Sequence, residues 1–159
     1  MLCPECLCQL NMEQLICKKG HQFEKRDGIY ILLNQKFKTT LDVFLSDFEQ
    51  VRNQQKRKIL DKKAYEKLPY FDTSFPQEYR HVWIGRQQAL EWMKPFFYKK
   101  SKMNILNFSS WNGWLSNNLI NWGHELIAIS YFVDEWDGLA AMKHYRNCLL
   151  YTSPSPRDS

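Results

Sequence analysis

The apolar positions of this chain begin without a helical rhythm. Residues 10–16, Leu-Asn-Met-Glu-Gln-Leu-Ile, suit a short hairpin. Asp27-Gly28 is a turn signal, and Ile29-Tyr30-Ile31-Leu32-Leu33 behind it reads as a strand. The rhythm then turns helical. Leu41, Phe44, Leu45, Phe48 and Val51 recur at helical spacing and predict an amphipathic helix, with Thr39 or Thr40 as its cap. Leu68-Pro69 breaks the pattern, and residues 70–75 read as a loop. Pro76 is placed to open the next helix, in which Tyr79, Val82, Trp83, Arg86, Leu90 and Met93 share one face and which is expected to end at Pro95. Arg86 within that stripe either snorkels to its edge or reaches a ligand.

From Lys102 the pattern becomes strand, helix, strand, helix. Asn104-Ile105-Leu106-Asn107-Phe108 suits a short buried strand, followed at 109–113 by a turn of small residues interrupted by Trp111. Trp114, Leu115, Leu119 and Trp122 then lie at helical intervals, and Gly123 ends that helix. Residues 125–130 form the second strand and 134–145 a further helix. The fold class is α/β, and a βαβ unit of this kind has a parallel, right-handed crossover.

A hydrophobic fraction of 44% and an aromatic fraction of 15% exclude a disordered chain, which lacks the apolar surface to offset its entropy. The net charge of +5 permits attraction to phosphate-rich partners without establishing it. The basic run at 52–63 reads as a solvated helical face, with phosphate contact as the alternative. No apolar run reaches the roughly 20 residues of a membrane span. The N-terminus carries no charged-then-apolar leader, so the expected location is the cytoplasm.

Cysteine adds chemistry to this outline. Cys3-Pro4-Glu5-Cys6 sets two thiols across a tight turn, and Cys17-Lys18-Lys19-Gly20-His21 supplies a third thiol and an imidazole. Gly20 can take a positive φ there and let the chain curl back. Two spaced pairs favour a metal site over four unrelated core residues. Three thiolates and one imidazole make a closed tetrahedral set that selects Zn2+ and leaves no open position for catalysis. Cys8 can compete with Cys6, but its place beyond the turn suits a spare thiol. A segment this small buries too little surface to fold alone, so the metal is expected to be structural.

The chain resembles bacterial class I methyltransferases that use S-adenosylmethionine and carry an N-terminal zinc ribbon, in collinear order over residues 1–147. Its Cys-Cys-Cys-His ribbon is similar to that of the large-subunit ribosomal RNA guanine N1-methyltransferases. Asn112-Gly113-Trp114-Leu115-Ser116, Gly123-His124-Glu125 and Asp137-Gly138-Leu139 resemble a related group of uncharacterised bacterial methyltransferases. The resemblance implies a Rossmann-like sheet of which this chain carries the first βαβα part. In such families the first strand ends in an acidic residue and a loop of three alternating glycines, where backbone amides approach the cofactor closely. A second acidic residue, after the next strand, holds the ribose.

The positions that correspond are Asn107, Ser109, Trp111, Gly113 and, for the ribose, Ser130, and only Gly113 keeps the family residue. Asn107 lacks the charge, Ser109 and Trp111 add side chains, and Ser130 offers a weaker contact than a carboxylate. Asp134 and Glu135 lie just beyond and could compensate. On this reading residues 1–36 are the zinc ribbon, 37–101 a helical linker with substrate-side helices, and 102–147 the start of the methyltransferase domain. Residues 148–159 do not fit the pattern before them and look like the in-frame translation of a transposase-type sequencing adapter, so they are expected to be a non-native tail. The chain is then an N-terminal fragment whose missing part would carry the catalytic residues. The implied activity is methyl transfer from S-adenosylmethionine to an acceptor, an RNA or a small molecule. The alternative is a non-catalytic zinc-ribbon protein that binds RNA or protein on a degenerate methyltransferase scaffold.

Overall fold

The computed structural model describes residues 1–55, 62–72, 75 and 77–145. They fall into two compact units, Met1–Gln50 and the residues from Val51 onward. The expectations for Pro76, for most of the basic run at 52–63 and for the tail at 148–159 lie outside the described residues.

The first unit is built from two hairpins. β1 (Leu10–Asn11) pairs antiparallel with β2 (Ile16–Cys17). Between them the Asn11 side-chain oxygen accepts the backbone N–H groups of Glu13 and Gln14 at 2.9 and 3.2 Å, a local substitute for ladder bonds. β3 (Glu24–Arg26) pairs with β4 (Ile29–Ile31). Asp27 and Gly28 join them at φ of 50° and 84°, the left-handed pair that a tight Asp-Gly hairpin turn requires. The core is small: Cys3, Leu10 and Cys17 are buried, with Cys6, Met12, Phe23 and Leu32 packed against them.

Helix α1 (Gln35–Gln54) starts a turn earlier than the sequence pattern suggests. Asn34 is its cap, with its side-chain oxygen accepting the Phe37 N–H at 2.9 Å. Thr39 and Thr40 instead sit inside the helix and donate their hydroxyls back to the carbonyls of Gln35 and Lys36. The expected apolar face keeps its spacing and is partly covered: Leu41, Leu45 and Phe48 are half-buried, while Phe44 and Val51 are 50% and 45% exposed. Phe44 and Phe48 stack on each other at 5.8 Å.

In the second unit the helices are α2 (Lys62–Lys67), α3 (Arg80–Phe97) and α4 (Trp114–Asn121), with strands β5 (Asn104–Phe108) and β6 (Glu125–Ile129). A 3-10 turn, Gln77–Tyr79, leads into α3, which buries Trp83 and Leu90 from the predicted stripe. α3 does not end at Pro95 but continues to Phe97, where the Tyr98 N–H closes the last turn on Lys94 at 2.9 Å. A proline so near a helix end removes one donor without undoing the turns before it. Trp83 meets Phe75 and Trp114 edge-on, each at 6.0 Å, which ties α3 to the start of α4.

β5 and β6 are parallel, from Asn104 opposite Glu125 to Phe108 opposite Ile129, and α4 forms the crossover. His124 fixes the entry to this unit. Its Nδ1 accepts the Met103 N–H at 3.3 Å, so Nε2 carries the proton and donates to the Phe97 carbonyl at 2.9 Å. The strands are covered on one side only. Leu106, Phe108 and Ile127 are 51%, 68% and 64% exposed, whereas parallel strands are usually buried on both faces.

The helix expected over 134–145 shortens to a 3-10 helix, Leu139–His144. Asp134 explains the difference: its carboxylate accepts the Trp136 and Asp137 N–H groups, both at 2.9 Å, and winds 134–137 into a turn. Gly138 completes that turn under close backbone contact. A Cβ there would lie 2.3 Å from the Asp134 nitrogen and 2.6 Å from the carbonyl carbons of Phe132 and Val133. Gly138→Ala is therefore expected to lose about 2–3 kcal/mol of stability in urea unfolding. The chain is thus mixed α/β with small sheets. Among the described residues no helix is long and apolar enough to cross a membrane.

Candidate metal centre and strand-end loop

The two Cys-bearing turns converge because their backbones close on themselves. Cys3 and Cys8 are bridged by the Cys3 N–H to the Cys8 carbonyl at 2.8 Å, and the Leu7 N–H returns to Cys3 at 2.8 Å. On the opposite side the Gly20 N–H reaches the Cys17 carbonyl at 2.9 Å, and Gly20 takes the positive φ, 82°, that the curl needs. The outcome is a cluster of Cys3, Cys6, Cys17 and His21 whose ligand atoms all lie within 4.8 Å of one another, and which could hold a metal ion. Cys6 Sγ is 3.7 Å from Cys17 Sγ, and His21 Nδ1 is 3.4 Å from Cys17 Sγ and 3.6 Å from Cys3 Sγ. Cys8 is outside this group.

The three thiols do not titrate alike. Burial raises Cys3, against backbone N–H groups of the first turn. At Cys6 the largest influence, a backbone hydrogen bond at Cys8, lowers the thiol, yet burial and the bond shared with Cys17 leave it raised. Burial also pushes Cys17 up, but hydrogen bonds from the Lys19 and His21 backbones and from the Cys6 and Cys3 thiols outweigh it and bring it to about 6. One thiolate is thus already favoured at neutral pH, as a metal ligand requires.

The residues set out for the cofactor lie at or near the C-terminal ends of β5 and β6. Ser109, Trp111 and Gly113 all take left-handed backbone, at φ of 55°, 50° and 77°. For a serine and a tryptophan that conformation is strained by roughly 1–2 kcal/mol each. Gly113 is further required by packing, since a Cβ there would lie 2.4 Å from Met142 Cγ. Trp111 lies flat against Phe132, with ring centres 4.8 Å apart and planes at 24°. The Asn107 amide donates to the buried Ser116 hydroxyl at 3.0 Å and so ties β5 to α4. Ser130 Oγ accepts the Phe132 N–H at 3.3 Å.

Asp134 is not at the disposal of a ribose. Besides its turn bonds it faces Arg52 at 3.7 Å, and Asp137 pairs with the same guanidinium. Arg52 is 6% exposed, although the basic run containing it reads as solvated. Nothing in the periodicity marks it, because its partners lie more than 80 residues away. Asn118 is a second such tie, donating to the Leu68 carbonyl at 3.0 Å. No protein-family model, curated protein or solved structure matches the chain.

Proposed function

We propose that this chain is a zinc-ribbon protein whose βαβ unit seats S-adenosylmethionine in a class I, Rossmann-like methyltransferase. The zinc reading rests on ligand spacing. Four ligands in a tetrahedron around zinc, with bonds of about 2.3 Å to sulfur and about 2.0 Å to nitrogen, stand roughly 3.5–3.8 Å apart. The observed 3.7, 3.6 and 3.4 Å fit that cage and support Nδ1 as the imidazole ligand. The set is closed, so the ion's part is to hold the fold.

One observation carries the methyltransferase reading: the left-handed backbone at Ser109, Trp111 and Gly113. These are the alternating positions at which the family has glycine, and the chain keeps the conformation while two side chains depart from it. Such strain persists where the surroundings impose it, and it clusters at ligand sites. The loop then presents backbone to the cofactor at the end of β5. In this reading the Ser130 hydroxyl, whose oxygen accepts the Phe132 N–H, donates its proton to a ribose oxygen. Bound S-adenosylmethionine supplies the reactive methyl group, and the protein's share is to align an acceptor, an RNA or a small molecule, with it.

A second reading, a non-catalytic scaffold that binds RNA or protein through the ribbon, is favoured by the missing acid. Asn107 is engaged with Ser116 and Asp134 with Arg52. Calorimetric titration with S-adenosylmethionine separates the two. Micromolar affinity is expected, and no binding at millimolar ligand would leave the scaffold.

A further inference from the structure

Most charged side chains of the second unit have an evident partner. Arg52 faces two aspartates, Arg80 donates to the Phe75 carbonyl, Lys94 pairs with Glu91, and Lys143 with Glu135. Arg86 is different. It is half-buried on α3, and among the described residues it has neither a hydrogen bond nor an ion pair. Its guanidinium carbon lies 4.2 Å from the centre of the Trp83 ring and 6.0 Å from that of Trp114. Trp83 is itself 1% exposed and held edge-on between Phe75 and Trp114, so the platform beneath the cation is rigid.

Aromatic faces attract the charge of a guanidinium but accept few of its hydrogen bonds. Five N–H donors in a planar fork remain, in a geometry matched to two oxygens of a carboxylate or phosphate. A partly buried cation without an acceptor is costly, and an arriving oxyanion removes that cost. Burial already works against the charge of Arg86, and Tyr145 opposes that effect only in part. Trp114 is the first residue of α4 and directly follows Gly113 of the strand-end loop.

We propose that Arg86, held over the Trp83 ring and beside Trp114, is a receptor for an oxyanion, the carboxylate or phosphate group of a small ligand. A small group suits the half-buried setting. The site is independent of whether the loop takes S-adenosylmethionine.

Titration of the whole chain with inorganic phosphate and with acetate, at constant ionic strength set by chloride, tests this in solution. The readouts are the Arg86 Nε–H and the Trp83 and Trp114 indole N–H signals in nitrogen-15 NMR. The expected result is a saturable shift in the millimolar range with one or both anions, and whichever is preferred names the source. Arg86→Gln should weaken that response about tenfold or more, and Arg86→Lys, which keeps the charge but loses the fork, should fall between. Shifts that follow chloride as closely as phosphate and acetate, or that persist unchanged in Arg86→Gln, overturn the proposal. Should Arg86→Gln fail to fold, the comparison of the oxyanions with chloride on the unaltered chain decides alone.

Discussion

Removing the metal with a chelator is expected to unfold the two hairpins while leaving the β5–α4–β6 unit intact. The reason is the size of the core. Cys3, Leu10, Leu15, Cys17 and Ile29 are the buried residues of the hairpins, and two of those five belong to the cluster that could hold a metal ion. Strands of two and three residues cannot bury enough apolar surface to offset the entropy of ordering the turns. Structural zinc supplies about 10–16 kcal/mol in comparable small sites near neutral pH, more than the stability of most whole domains. Cys17→Ser should therefore act like the chelator, and Cys8→Ser, outside the cluster, should leave zinc stoichiometry and folding unchanged. The dispersed amide signals of residues 10–31 would report both. Acid should act in the same direction. Protons compete with the metal for the thiolates and the imidazole, so falling pH should release the ion and unfold the hairpins. Hairpins that keep their dispersion in excess chelator would show that the cluster is a set of ordinary core thiols.

The metal cluster and the βαβ unit are the parts of this fold most legible in the sequence. Both are local: ligand pairs are set by turns of a few residues, and the strands and α4 by a change of period. What escaped is what side chains decide over a distance. The cap of α1 is Asn34, a better capping residue than Thr39 or Thr40, which lie inside the helix because Asn34 and Glu5 satisfy its first N–H groups. The helix pattern over 134–145 is real as periodicity. It loses its first turn because Asp134 competes with the backbone and Gly138 is wound against it. The strand-end loop is a subtler case. The side chains at 109 and 111 give no sign of a left-handed backbone, and only the angles of 55° and 50° show it beneath them.

Arg52→Met is expected to be among the most damaging single substitutions in the second unit, with a loss of about 3–5 kcal/mol. The side chain is 7% exposed and pairs with Asp137, whose side chain is 17% exposed, and with Asp134 at 37%. The more exposed Asp134 contributes less, because solvent screens it. Taking away the guanidinium leaves the largely covered Asp137 carboxylate without its counter-charge, and that uncompensated charge sets the size of the effect. The Trp136 carbonyl of the same turn accepts the hydroxyl of Tyr65, buried on α2, at 2.6 Å, so the damage should reach α2. For a unit of this size such a loss lowers Tm on the order of 15 °C or more. A charge-specific cause predicts partial rescue: Asp137→Asn should restore part of the lost stability when placed on Arg52→Met and be costly when placed on the unaltered chain. The coupling from that double-mutant cycle should exceed about 1 kcal/mol. Strict additivity of the two substitutions would instead assign the loss to the packing of the arginine stem, and the ion pair would then have no part in holding the 134–138 turn.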